Sequence, residues 1–262
     1  MVMDKYKLFK TECEKEIENT GQDKELLNLT HTWFDQANRH KYSYHFEWLG
    51  RPIIQYPQDI VAMQELIWLT RPDLIIETGI AHGGSLIFSA SMLAMLDVCD
   101  AFYSGRGFDQ QRVSRRVLGI DIDIREHNFQ AIEAHPLAPY IEMIQGSSTD
   151  PEVISMVKDT AAKHSSILVC LDSNHTHEHV LAELNAYAPL VTKGSYCVVF
   201  DTIIEDLPES MFPDRPWGPG NNPKTAVWEY LKTNKDFEID RSIQHKLLIT
   251  VAPDGFLKRI AG

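Results

Sequence analysis

The chain has 262 residues, of which 44% are hydrophobic and 24% charged, a globular balance that excludes disordered, collagenous and coiled-coil chains and suits one large domain with additions. Its 25 basic and 37 acidic residues leave a formal charge of −12, which argues against a surface built to neutralise nucleic-acid phosphates or anionic lipid, so no nucleic-acid partner is expected. The four cysteines form no CxxC pair, the N-terminus is charged where a secretory signal would be apolar, and no run of about 18 apolar residues occurs, so the expectation is a cytoplasmic protein without a membrane span.

Residues 1–60 are expected to form a helical and loop extension that caps the main domain, residues 61–262. The extension begins as a polar helix and continues through the aromatic cluster Tyr42, Tyr44, Phe46 and Trp48 to Gly50-Arg51-Pro52 and Tyr56-Pro57. A helix over 59–70 is stopped by Arg71-Pro72. A strand over 73–78 follows, then a glycine-bearing turn over 79–85 and a helix over 86–96. Strands at 116–123, 141–147, 167–173 and 195–201 are then separated by helices at 127–135, 151–164 and 180–187. Strands that are apolar at nearly every position and alternate with helix-length segments require a parallel sheet covered on both faces, so the fold class is α/β. Segments 237–243 and 245–253 read as a closing hairpin or an antiparallel edge pair, which would make the C-terminal edge of the sheet antiparallel. The loop Pro208 to Pro223, dense in Pro, Gly and Asn, is long enough to cover a site.

Glu77 with Gly79, Asp121 with Asp123, and Asp172 fall where successive strands end, and in open parallel sheets those ends form the ligand crevice. An acid after a strand is also what a plain solvated turn contains, so the pattern carries more weight than any one residue. The segment Glu77-Thr78-Gly79-Ile80-Ala81-His82-Gly83-Gly84-Ser85 resembles motif I of the S-adenosylmethionine (SAM) methyltransferases. There Gly79 would let the backbone turn sharply beside the ligand, and Gly83 and Gly84 would free the start of the helix that Ser85 enters. Glu77 would hold this turn or the cofactor's amino group, and His82 would orient within it. A nicotinamide site would instead read G-x-G-x-x-G with an acid about 20 residues on. Asp121 is the first choice for the ribose hydroxyls, which need an ionised acceptor with two oxygens, and Asp123 is the second. Gly146-Ser147-Ser148 resembles the adenine-binding loop of such enzymes. A simple helix cap by Thr149 or Asp150 before Pro151 explains the same residues.

The stretch Asp172-Ser173-Asn174-His175-Thr176-His177-Glu178-His179 has three alternating histidines, but no thiolate lies nearby and the spacing is not that of a preformed zinc site. Asp172 and Asp201, at the tips of two strands expected to be neighbours, form an oxygen-rich pair suited to Mg²⁺. His175 beside them is the candidate base, since an imidazole titrates near neutral pH. His177 and His179 are expected to cap or line the following helix.

Together, Trp48 to Asp59, motif I, G-I-D-I-D, L-D-S-N-H-T-H-E-H-V, the strand ending at Asp201 and Trp217-Gly218-Pro219-Gly220 resemble the cephalosporin hydroxylase-like family, which includes rhamnosyl O-methyltransferase-like enzymes. The resemblance covers most of residues 45–260. It implies a Rossmann-like class I methyltransferase fold that binds SAM and a divalent metal, usually Mg²⁺, and methylates a hydroxyl of a sugar or natural product. Hydroxylase activity is not implied. One departure stands out: family members commonly carry Glu-Asp where this chain has Phe200-Asp201, so a metal ligand is missing unless Glu205, Asp206, His175 or water replaces it. Three other readings stay open: a non-catalytic SAM- or nucleotide-binding protein, a nicotinamide-dependent oxidoreductase, and a metal-independent methyltransferase using a histidine base. The expected partner is a small hydroxylated acceptor, and a closed homo-oligomer is a further expectation at this size.

Overall fold

A computed structural model describes residues 4–105, 107 and 113–261. Met1 to Met3 of the expected extension lie outside the described residues. The apolar runs line up side by side as β3 (Leu74–Thr78), β4 (Arg116–Asp121), β5 (Ile141–Gln145), β6 (Ile167–Leu171) and β7 (Tyr196–Val199), all mutually parallel. With β8 (Phe237–Ile239) and β9 (Phe256–Arg259) they make a seven-stranded sheet in the order β5-β4-β3-β6-β7-β9-β8, in which β9 runs antiparallel to both neighbours.

Alternate residues of the central strands feed two separate cores, which is why these strands are apolar at every position. Ile75, Val117, Leu168, Cys170 and Val198 pack on one face with α3 (Pro57–Thr70) and α4 (Gly84–Tyr103), and with Ile132 of α5 (Glu126–Glu133). Leu74, Ile76, Leu118, Val169, Leu171 and Val199 pack on the other with α6 (Pro151–Ala161), α7 (His177–Tyr187) and α8 (Pro223–Thr233). The helix starts follow local chemistry. Pro57, Pro151 and Pro223 occupy first-turn positions, and Asp150 caps α6 by accepting from Glu152 N at 2.8 Å. On length and composition α4 could cross a membrane, with a mean hydropathy of 1.6. Here its Leu86, Ile87, Phe88, Ala90, Leu93 and Leu96 are buried in the core, and its Asp97 and Asp100 pair with Arg115.

The closing hairpin expected over 237–243 and 245–253 is not formed. Only Phe237–Ile239 is strand. Asp240 then accepts from Ser242 N at 3.2 Å and starts the helix α9 (Arg241–Leu247), and the final strand is 256–259. The Asp-Arg-Ser sequence acts as a helix start, so Ile243 serves a helix face rather than a strand face. The antiparallel edge pair is therefore present, as β8 with β9, but its second strand comes later in the chain.

The first sixty residues hold α1 (Lys5–Gln22), α2 (Lys24–Asn38), a 3-10 turn at Tyr42–His45, and a small hairpin of β1 (Phe46–Trp48) and β2 (Arg51–Ile53) that the sequence reading did not foresee. Most of its aromatics pack on one another. Trp33, Phe34, Tyr42, Phe46 and Tyr56 form a chain of edge and tilted contacts with centroids 5.0 to 5.9 Å apart. Trp48 packs on Phe88 and donates to Ser91 Oγ at 3.0 Å, so of the cluster Tyr42, Tyr44, Phe46 and Trp48 only Tyr44 faces the cavity described next.

Candidate active site

The parallel strands all end at one rim, and a cavity of about 630 Å³ opens there. Gly79 to His82, Asp121, Ser148, Asp172, His175, His179 and Asp201 line it, and so do Asn38, Tyr44, Gln55 and Tyr56 of the N-terminal segment. Such a volume suits a cofactor with a small acceptor. The register explains the convergence: Thr78 pairs with Ile120 and Leu171, and Leu171 pairs with Val199, so Gly79, Asp121 and Asp172 are the next residues out on adjacent strands.

The motif I turn is held from three sides. Asp121 Oδ2 accepts from Ile80 N at 2.8 Å and from Ala81 N at 3.3 Å, while its Oδ1 accepts from Asp123 N at 3.0 Å. Arg51 donates to the His82 carbonyl at 2.5 Å and to Asn128 Oδ1 at 2.9 Å, and Asn128 donates to the Ala81 carbonyl at 2.9 Å. Gly79 has φ +91°, and a Cβ there would overlap the Asp172 carbonyl oxygen, so the close approach is to the neighbouring strand. Gly83, at φ +83°, is the N-cap of α4.

Glu77 is buried beneath the turn rather than facing the cavity, where it accepts from Ser85 Oγ. Burial, only partly offset by the Ser85 and Ser89 hydroxyls, pushes its pKa up to about 8. Asp123 is exposed, faces Arg125 at 3.9 Å and does not line the cavity. Between the two acids, Ile122 is 72% exposed and contributes an apolar face to the cavity mouth.

The three alternating histidines diverge. His175 Nε2 lies 3.1 Å from Asp201 Oδ2 and 3.8 Å from Asp172 Oδ1, and one ligand atom from each of these residues falls within 4.8 Å of the others. His177 turns to Thr225 Oγ1 at 2.8 Å and Glu229 at 3.2 Å. His179 reaches Ser148 Oγ at 3.0 Å and Ser173 Oγ at 3.2 Å, tying the loop after β5 to that after β6. Burial beside Asp201 raises the Asp172 pKa. For His175 burial acts downward, but Asp201 and Asp172 outweigh it and the net shift is upward.

Asp201, beyond the end of β7, is in the left-handed region at φ +54°, while Phe200 donates its N–H to the Leu171 carbonyl at 3.0 Å, is buried, and lines a small cavity with Gln55, Asp59, Glu77 and Asp172. Of the residues named as replacements for the missing carboxylate, Glu205 accepts from Gly220 N at 2.7 Å and from Asn222, and Asp206 pairs with Lys224. Neither belongs to the cluster of Asp172, His175 and Asp201. His175 remains as the third donor among the described residues.

Behind these residues lies a second layer that was not among the sequence candidates. Gln55, 7% exposed, donates to Asp172 Oδ2 at 3.2 Å. Asp59, 1% exposed, accepts from Thr250 Oγ1 and from Val251 N at 3.0 Å. The family-like stretch Trp48 to Asp59 contains both residues, and it was the only signal in the sequence that could have found them. Over the cavity, Leu207, Met211, Phe212, Arg215 and Trp217 come from the 3-10 turn after β7 and the loop before α8.

Residues 40–260 match the family model described as Rhamnosyl O-methyltransferase/CmcI. The rhamnosyl O-methyltransferase of Mycobacterium tuberculosis is 29% identical over 202 residues, which cover 77% of this chain and 73% of that protein. That of Mycobacterium leprae is 28% identical over 214 residues, covering 81% and 82%. Among solved structures, CmcI with Mg and SAM aligns with a TM-score of 0.53 at 18% identity, covering 83% of this chain and 78% of that one. CmcI without ligand aligns at 0.51, again at 18% identity, covering 84% and 78%. These two likenesses concern the fold.

Proposed function

The chain belongs to the Rhamnosyl O-methyltransferase/CmcI family, and from that premise we propose that it is a SAM-dependent O-methyltransferase that methylates a hydroxyl of a sugar or natural product beside Mg²⁺. One observation carries this reading: Asp172, His175 and Asp201 converge in the same cavity, and on the same rim, as the motif I turn. Two carboxylates and an imidazole fit a divalent cation that keeps open positions for water or substrate oxygen. The cavity lining combines the polar Asp121 and Ser148 with the apolar Ile122, the mixture that a nucleoside requires.

In this reading the Gly79 to His82 backbone faces the amino-acid end of SAM, Asp121 takes the ribose hydroxyls, and Ile122 and Ser148 flank the adenine. SAM would supply the methyl group, and a cation held by Asp172 and Asp201 would supply Lewis acidity towards the acceptor hydroxyl. Where water completes the shell of the cation, His175 Nε2 is left to take the hydroxyl proton as the new O–CH₃ bond forms and the S–CH₃ bond breaks, and Asp201 stabilises the imidazolium. Positioning is the main contribution of the protein, on the order of 7 to 11 kcal/mol for well-aligned reactants. Trp217 and Phe212 cover the mouth and exclude water.

Phe200, together with the place of His175 between two acids, favours one second reading, transfer by the histidine base without a metal. The test is isothermal titration with S-adenosylhomocysteine (SAH), followed by methyl transfer to rhamnosides read by mass spectrometry, with and without EDTA. SAH binding and EDTA-sensitive transfer are expected. A protein that ignores SAH sinks the proposal, and transfer that survives EDTA selects the second reading.

A further inference from the structure

The charged lining of the cavity is uneven. Asp121, Asp172 and Asp201 contribute carboxylates, whereas Arg215 is the one lysine or arginine among the described residues that line it. Arg51, which holds the motif I turn beside the cavity, is already spent on the His82 carbonyl and Asn128. Arg215 is exposed, and its guanidinium makes no ion pair or side-chain hydrogen bond among the described residues. Its contact is the face of Trp217, 5.1 Å from guanidinium carbon to ring centroid. The opposite side of the matter is that Trp217 also packs on His175, with centroids 4.9 Å apart. One indole ring therefore touches both an unspent five-donor fork and the candidate base.

Leu207, Met211 and Phe212, from the same covering segment, add apolar side chains to the cavity lining. Stacking on an indole fixes the plane of a guanidinium and leaves its edge free for two parallel N–H···O bonds, the arrangement that recognises phosphate or carboxylate. An anion entering a chain of charge −12 past three carboxylates needs such a partner.

Resting on the transferase reading, we propose that the acceptor carries an anionic group, a phosphate ester or a carboxylate, about one ring away from the hydroxyl that is methylated, with Arg215 reading the anion and Trp217 packing on the ring between. Neutral glycosides of the same sugar are then the poorer ligands. The backbone of Arg215, whose N–H donates to the Phe212 carbonyl at 3.2 Å, fixes the turn that presents the side chain.

The test uses the full chain loaded with SAH and Mg²⁺, with SAH affinity measured first in each cell. Methyl α-L-rhamnoside, L-rhamnose 1-phosphate, a nucleoside-diphosphate rhamnose and a methyl hexuronide are then titrated into the wild type, Arg215→Met and Arg215→Lys. At least one anionic probe is expected to bind about tenfold or more tightly than the neutral glycoside, the size of one charge-assisted contact. The gap should shrink with salt, vanish in Arg215→Met, which keeps an apolar stem over Trp217, and survive in part in Arg215→Lys. The phosphate and hexuronide arms decide which anion it is. Equal affinity for neutral and anionic probes, a gap unchanged by Arg215→Met, or binding of no anionic probe overturns the proposal. Loss of SAH binding in the wild type would instead overturn the transferase reading, so the two failures are distinct.

Discussion

Gln55 Nε2 donates to Asp172 Oδ2 at 3.2 Å, so the carboxylate at the tip of β6 is gripped from the segment that precedes the sheet. That contact occupies one oxygen and leaves Oδ1 turned towards His175 and Asp201. Residues that orient a metal-binding carboxylate typically account for 10- to 100-fold in metal affinity. Gln55→Ala is therefore expected to weaken Mg²⁺ binding about tenfold while SAH affinity changes little. Mg²⁺ titration followed by Trp fluorescence, alongside SAH calorimetry, checks this, and an unchanged Mg²⁺ affinity would count against the orienting role.

Proton and cation compete for the same three side chains. Asp172 is raised by burial and by Asp201, and His175 is raised because its two acids outweigh burial, so both hold protons to higher pH than free side chains do. Cation binding must expel these protons. Mg²⁺ affinity should climb with pH across the range where they titrate, and calorimetry in two buffers of different ionisation enthalpy should report proton release.

Asp59 and Glu77 set a second pH dependence. Burial raises them to about 7 and about 8, against 3.8 and 4.5 in the unfolded chain. Between those limits the folded state holds protons that the unfolded chain has released, so the stabilisation is complete below the unfolded values and lost as pH rises through the folded ones. The EDTA-treated protein should lose on the order of a few kcal/mol between about pH 4 and pH 8. Thermal melts of Asp59→Asn should show a flatter profile over that window, and an equally steep one would refute the assignment to Asp59.

Gly79→Ala puts a side chain into the Asp172 carbonyl at a left-handed φ. The conformational cost alone is about 1 to 2 kcal/mol, and the overlap adds to it. A lower Tm and loss of SAH binding are the expected outcomes. An alanine variant that melts and binds like the wild type would show that the turn tolerates a Cβ.

Phe200→Glu places a carboxylate next to Asp59, Glu77 and Asp172. Unpaired, it should destabilise the protein by several kcal/mol. Because a cation binds only the folded state, added Mg²⁺ should raise the Tm of this variant by more than it raises that of the wild type. Differential scanning fluorimetry over a Mg²⁺ series decides the matter, and equal increments would mean that the new acid does not reach the cation.

The sheet could be read from the sequence because a parallel strand covered on both faces leaves an unbroken apolar run, as in Ile167–Leu171 and Tyr196–Val199. The acids at the strand ends could be read for the same reason: each interrupts such a run. Leu247, Leu248 and Ile249 misled the strand pattern because they belong to a helix end and the loop beyond it, and apolar content alone does not separate the two. Asp121 and Asp123 are both ribose candidates in sequence, with Asp121 first, and the structure adds what separates them: the strand stops at Asp121 and the chain then turns Asp123 outward. Gln55, Arg51 and Asn128 left no local spacing to find, since their partners lie 31 to 117 residues away.

The hairpin that carries Arg51 and Pro52 bears on His82 and Gly84, closing like a clasp on the motif I turn. Anyone recombining relatives to exchange their acceptor preferences should therefore place the crossover near residue 40, where the family match begins, and not near residue 60. A junction at the later point would unite half a clasp from each parent, and the resulting hybrid would fail at the cofactor rather than at the acceptor it was built to change.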